Sequence, residues 1–277
     1  MYSTVIDLNV LKDHCNDPDW VIIDCRYDLA DKNAGRNAYM ESHIPGAIYA
    51  DLHDDLSGPP VTNKGRHPLP TPDALNQIFS RLGISNECQV IAYDGVGGSF
   101  AARLWWMLRY MGHEAVAVLD GGWQAWLQSN SKTRQGQESR PSTRFQGQDR
   151  EEWVVKVENV ANANLLVDSR DPARYAGEME PVDRVAGHIP GAINHFWKDN
   201  LEKNGNFKDS EQLREEFLGF IGNITPGVVV FYCGSGVTAC HNLLAASHAS
   251  LDMPRLYAGS WSEWCADPKR PVVTGKG

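Results

Sequence analysis

Four landmarks in this 277-residue chain recur in the same order, 138 to 145 residues further on. Val21-Ile22-Ile23-Asp24-Cys25-Arg26 is echoed by Leu165-Leu166-Val167-Asp168-Ser169-Arg170. His43-Ile44-Pro45-Gly46-Ala47-Ile48 is echoed by His188-Ile189-Pro190-Gly191-Ala192-Ile193. Asp94 is echoed by Cys233, and Gly122-Trp123-Gln124-Ala125-Trp126 by Ser260-Trp261-Ser262-Glu263-Trp264. Ordered self-similarity at a near-constant offset marks a duplicated domain, so one fold must serve both halves. The halves are expected at residues 1–128 and 151–277. Residues 129–150, rich in Ser, Gln, Arg and Gly, read as the linker between them.

Each half alternates short apolar runs with helical stretches. Val21 to Asp24, Val90 to Tyr93, Leu165 to Asp168 and Val228 to Tyr232 read as strands. Ala101 to Met111 and Cys240 to Ser250 read as helices. Such alternation predicts an α/β fold, a parallel sheet covered by helices on both faces, in two tandem copies. Sites in these sheets form at the carboxyl ends of strands.

One position there stands out. Cys233 follows the run Val228-Val229-Val230-Phe231-Tyr232 and opens Cys233-Gly234-Ser235-Gly236-Val237-Thr238. A glycine-rich loop can turn its N–H groups inward, and the next helix adds its positive end. A thiolate held there is stabilised and serves as a nucleophile. In the first half the same strand and loop carry Asp94 instead. One copy reads as armed and the other as disarmed.

Bulk properties narrow the partners. Apolar residues make up 42% and charged residues 22%, as in globular proteins. A net charge of −9 argues against nucleic acid or an anionic membrane, but not against a small anion held by local arginines. The opening residues lack a basic stretch followed by an apolar core, so no export leader is expected. The six cysteines show no CxxC pair and no zinc-like Cys/His spacing. No metal and no cofactor are expected, and mostly free thiols point to a reducing, cytoplasmic setting.

The DxR element, the HIPGA element in both halves and the CGSGVTA loop together resemble the two-domain rhodanese-superfamily sulfurtransferases, over nearly the whole chain. The resemblance implies a silent N-terminal domain and a Cys233 that carries sulfur as a persulfide. The neutral loop resembles the branch that takes 3-mercaptopyruvate; the thiosulfate branch places basic residues after the cysteine. Ser235 and the loop residues Gly234, Gly236, Val237 and Thr238 would then cradle the sulfur. Arg174 and Arg184 match the arginines that hold the donor's carboxylate, a pairing suited to guanidinium. His67 matches a histidine that joins the loop serine in a relay, which would bring the two halves together at the site. The family's acidic partner is less well matched: His53 stands there, flanked by Asp51 and Asp54. The implied acceptor is thioredoxin, a small thiol or cyanide.

Three other classes compete. A thiosulfate sulfurtransferase would use the same persulfide. A cysteine phosphatase needs an arginine closing the loop, where Ala239 and Cys240 stand. A non-catalytic binding module would leave Cys233 unreactive. His43 and His188 are expected to bond local backbone, Asp24 and Asp168 to fix loops, and the paired tryptophans to pack cores. Cys240 reads as a core residue.

Overall fold

A computed structural model of the chain describes residues 1–275. They divide into two compact units: residues 1–57, 70–150 and 203–207 form the first, and 58–69, 151–202 and 208 onward form the second. Two short segments thus leave the half that sequence assigns them to. The packing of segment 58–69 with the second unit matters for the site.

The first unit holds β1 (Val5–Ile6), β2 (Trp20–Asp24), β3 (Ile48–Tyr49), β4 (Gln89–Tyr93) and β5 (Val116–Leu119). They form one parallel sheet in the order β1-β5-β4-β2-β3. The second unit holds β6 (Leu166–Asp168), β7 (Ala192–Asn194), β8 (Val230–Tyr232) and β9 (Arg255–Leu256), in the order β7-β6-β8-β9. Val154 makes a lone parallel bridge to Leu256 where β1 lies in the first unit. The two topologies are therefore the same, with one edge strand reduced to a single bridge.

The strands match the apolar runs to within two residues. The largest shift is at β8, which begins at Val230 rather than Val228. Pro226 opens a short 3₁₀ turn through Val228, and Val229 N donates to Pro226 O at 3.0 Å. Proline fixes the backbone for that turn and delays the strand. The helices Ala101–Tyr110 and Ala239–His248 follow β4 and β8. Both are buried along nearly their whole length, as helices packed between a sheet and further chain must be.

The duplicated landmarks do duplicated work. Asp24 and Asp168 each accept from the backbone N–H two residues on, at 2.9 Å, and each holds an arginine, Arg26 or Arg170, at 2.6 Å. Those guanidinium groups lie over Trp123 and Trp261 respectively. His43 Nδ1 bonds Tyr39 O at 2.7 Å, and His188 Nδ1 bonds Tyr175 O at 2.8 Å. These histidines brace backbone, as their sequence context suggested. Trp123 and Trp126 pack into the first core, Trp261 and Trp264 into the second.

Residues 129–150 are more than a spacer. Arg134 and His43 exchange backbone bonds at 2.9 Å, Thr143 N donates to Ser80 O at 2.9 Å, and Phe145 is buried against Phe79. The segment is polar because it runs over a surface, yet it is fastened to the first unit at several points.

Candidate active site

β8 ends at Tyr232 and delivers Cys233 into the second unit, 2% exposed. Its N–H donates to Ser260 Oγ at 3.1 Å, and its carbonyl accepts from Trp261 N at 3.0 Å. Ser260 adopts a left-handed backbone, φ 56°, unusual for a residue with a side chain. Its hydroxyl also donates to Tyr257 O at 2.9 Å, so two bonds hold the strained turn under the cysteine.

The loop beyond is shaped by Gly236. Its φ is +77°, and a Cβ there would meet Ala258 O at 2.3 Å. Only glycine fits. Among the described residues, the N–H groups of Ser235, Val237 and Thr238 have no protein acceptor. Nor does a side chain cap the helix Ala239–His248. The cradle is open to an anion.

The first unit shows the same cradle filled. Asp94 Oδ1 accepts from Val96 N at 2.7 Å and Gly98 N at 2.9 Å; Oδ2 accepts from Phe100 N at 2.7 Å and Ala101 N at 2.9 Å. Burial pushes the Asp94 carboxyl up, and the four N–H groups pull against that. The carboxylate occupies the space into which a cysteine sulfur would project.

His67 is buried, and its Nδ1 lies 2.7 Å from Ser235 Oγ. His67 lies on segment 58–69, which packs with the second unit. The segment is short, and Arg66 N pins it to Ser262 Oγ at 3.2 Å. As for the candidate acids, Asp51 Oδ1 accepts from His53 N at 2.8 Å and Asp54 N at 3.2 Å, closing its own turn. The ring of His53 meets Tyr27 edge-on.

Arg174 lies beside Gly234, whereas Arg184 lines a cleft that it shares with Arg66 and Asp183. Arg174 Nη2 donates to Glu180 Oε1 at 2.7 Å, and a Cβ built on Gly234 would lie 3.6 Å from its Nη1. Arg184 is exposed and has no ion pair among the described residues. It lines a cleft of about 260 Å³ together with Arg66, Asp183, Ser262 and Cys265. Cys240 is fully buried, with its Sγ 3.4 Å from Gly236 O.

Sequence reasoning passed over four residues here: Arg66, Glu180, Asp183 and Ser260. Arg66 and Asp183 form an ion pair, and Asp183 also meets Arg174 Nη2 at 3.3 Å. Burial pushes the Asp183 carboxyl up, against the pull of Arg66. Burial would raise Glu180 too, but its bond to Arg174 and two backbone N–H groups bring it down. The available signal was adjacency, since Arg66 precedes His67 and Asp183 precedes Arg184.

A buried thiol at the end of a parallel strand, followed by a loop with N–H groups that lack a protein acceptor among the described residues, recurs in the first unit with an aspartate in its place. The rhodanese-like domain family model matches twice, at residues 7–129 and 153–267, and the chain belongs to that family. It is 44% identical over 268 residues, 94% of each chain, to a probable 3-mercaptopyruvate sulfurtransferase of Pseudomonas aeruginosa. It is 37% identical to a putative thiosulfate sulfurtransferase of Mycobacterium tuberculosis, covering 92% of this chain and 90% of that one. Among solved structures, the 3-mercaptopyruvate sulfurtransferase of Escherichia coli superposes with a TM-score of 0.80 at 31% identity, covering 94% of this chain and all of that one.

Proposed function

We propose that the chain is a sulfurtransferase that takes sulfur from 3-mercaptopyruvate, carries it on Cys233 and passes it to a thiol or cyanide. The observation that carries this reading is a cysteine at the end of β8 whose loop has no basic side chain and whose Ser235, Val237 and Thr238 N–H groups have no protein acceptor among the described residues. Such a loop suits a sulfur bearing at most one charge, with the donor's carboxylate held elsewhere.

The Cys233 thiolate attacks the donor's sulfur. An S–S bond forms, the C–S bond breaks, and its electrons leave with pyruvate as the enolate, which takes up a proton. The His67–Ser235 pair is placed to relay that proton. Arg174 holds the donor's carboxylate, and Arg184 guides it from the cleft rim. The persulfide's outer sulfur rests against the N–H groups of Ser235, Val237 and Thr238, much as the Asp94 carboxylate rests in its own ring. An acceptor thiolate, thioredoxin or a small thiol, or cyanide, then takes the outer sulfur and restores the Cys233 thiolate. Two transfers through one covalent intermediate give ping-pong kinetics.

Among the described residues, no helix is long and apolar enough to cross a membrane. All six cysteines are free, which supports a reducing, cytoplasmic setting. The deciding experiment compares kcat/KM for mercaptopyruvate and thiosulfate with one acceptor. Mercaptopyruvate should be preferred, and Arg174→Ala should cost about ten- to a hundredfold with that donor, the worth of a charge-assisted bond. A preference for thiosulfate would move the chain to the other branch and leave the Cys233 persulfide standing.

A further inference from the structure

The two units treat one groove differently. In the first, Tyr39 stacks on His43 and donates its hydroxyl to Ala47 O at 2.8 Å; in the second, Tyr175 stacks on His188 and donates to Ala192 O at 2.6 Å. A chain segment passes each histidine in the same way. Arg134 bridges to His43 and Gly136 N donates to Met40 O at 2.8 Å, just as Val273 bridges to His188 and Gly275 N donates to Ala176 O at 2.8 Å. Beyond Gly136 the first segment continues as Gln137-Glu138-Ser139-Arg140 and walls a cavity of about 480 Å³ with Arg36, Tyr39 and Tyr49. Glu138 fastens it there. Its N–H donates to Tyr39 Oη at 3.0 Å, and its Oε1 accepts from Gly46 N at 3.3 Å and lies 3.7 Å from His43 Nε2. Arg134 Nη1 balances the charge at 3.0 Å. Burial would raise the Glu138 carboxyl, but Arg134, the Gly46 N–H and His43 bring it below its usual value.

The matching groove of the second unit, about 500 Å³, is lined by Asp171, Pro172, Ala173, Tyr175, Glu178 and Asn194. Tyr175 and His188 are each 3% exposed. Yet the Tyr175 hydroxyl accepts no hydrogen bond, and neither His188 Nε2 nor the Gly191 N–H has a protein partner among the described residues. Their counterparts in the first unit are the three groups that Glu138 meets. We infer that this groove docks a partner protein through a peptide segment built like residues 137–140. Its glutamate lies against Gly191 and His188, its backbone N–H donates to Tyr175, and a basic residue stands close by. The basic residue follows from charge. Val273 stands where Arg134 balances Glu138, and Asp171 and Glu178 add negative charge to the groove, so the incoming segment must bring its own cation. A partner held there is tethered to the unit that carries Cys233, which raises its effective concentration for sulfur transfer. The inference does not depend on which donor loads the cysteine.

The test is fluorescence polarisation of two labelled peptides on the full chain, acetyl-Gln-Glu-Ser-Arg and its acetyl-Gln-Ala-Ser-Arg counterpart. The glutamate peptide should bind, and the alanine peptide should bind about tenfold or more weakly, the worth of one charge-assisted bond. Tyr175→Phe removes only the hydroxyl and should weaken the glutamate peptide about fivefold. Glu178→Lys, at an exposed position, should weaken it severalfold at low salt by repelling the peptide's arginine, and keeps the test decisive should Tyr175→Phe fail to fold. Tyr39→Phe is the control and should change nothing, because residues 137–140 already hold that groove. No binding of the glutamate peptide at millimolar concentration would overturn the inference. So would equal binding of the two peptides, or affinity within about twofold of wild type in every folded second-unit variant. Binding is read without turnover, so the result stands apart from the donor assignment.

Discussion

His67 Nδ1 and Ser235 Oγ lie 2.7 Å apart, though 168 residues separate them in the chain. The pair joins segment 58–69 to the loop that opens with Cys233. If it moves a proton as a unit, the single losses should not add. Ser235→Ala and His67→Asn should each slow pyruvate release about a hundredfold or more, the usual worth of a positioned acid–base group. The double variant should be little worse than either. Rapid-quench measurement of pyruvate in a single turnover reads this directly; additive losses would show that the two act separately.

Cys233 should be the only residue to gain sulfur. Incubation with donor, followed by peptide mass spectrometry, should add one sulfur atom to the peptide containing Cys233 and none to that containing Cys240. Cys233→Ser should have no turnover with either donor. A fragment of residues 151–277 lacks His67 and Arg66, and should be far less active than the full chain even when folded.

Gly236→Ala should damage the loop before it touches chemistry. The added Cβ would meet Ala258 O at 2.3 Å, on a backbone with φ +77°. Strain of this kind costs about 1–3 kcal/mol. A thermal melt should show the loss, and sulfur loading should fall with it. Gly46 also has positive φ, at 79°, but nothing lies within 4 Å of its Cβ position. Gly46→Ala should therefore be the milder change.

The acid limb of stability should depend on Glu180. Its folded pKa lies below the ordinary value of 4.5, where burial would raise it but Arg174 and backbone N–H groups prevail. A lowered carboxylate contributes stability above its unfolded pKa and loses it as pH falls through the folded one. Asp183, raised by burial, runs the other way and contributes less as pH rises through its folded value. Glu180→Gln should lower the melting temperature near neutrality and flatten its decline towards acid. An unchanged acid slope would show that the Glu180–Arg174 pair adds nothing.

Much of this was legible in the chain because it was written twice. Strands with apolar runs and fixed landmarks betray their register, and the Asp94–Cys233 substitution marks the site. What stayed hidden depends on contacts distant in sequence. Arg66 and Asp183 are 117 residues apart, and only folding shows that each completes the other. Ser260 looked like part of a tryptophan element; its left-handed turn and its bond to Cys233 N have no local signature. That segment 58–69, with His67, packs with the second unit was invisible because those twelve residues carry no repeat landmark.

The Asp94 carboxylate has a consequence for how the protein meets its ligands. Mass action works only on a vacancy, and the first cradle has none, because its occupant is bonded to the chain at effectively unlimited local concentration. Adding donor, product or any small anion cannot stabilise that loop further. Ligand-dependent shifts in melting or hydrogen exchange should arise in the second unit alone, with the first serving as an internal standard for a site held permanently at saturation.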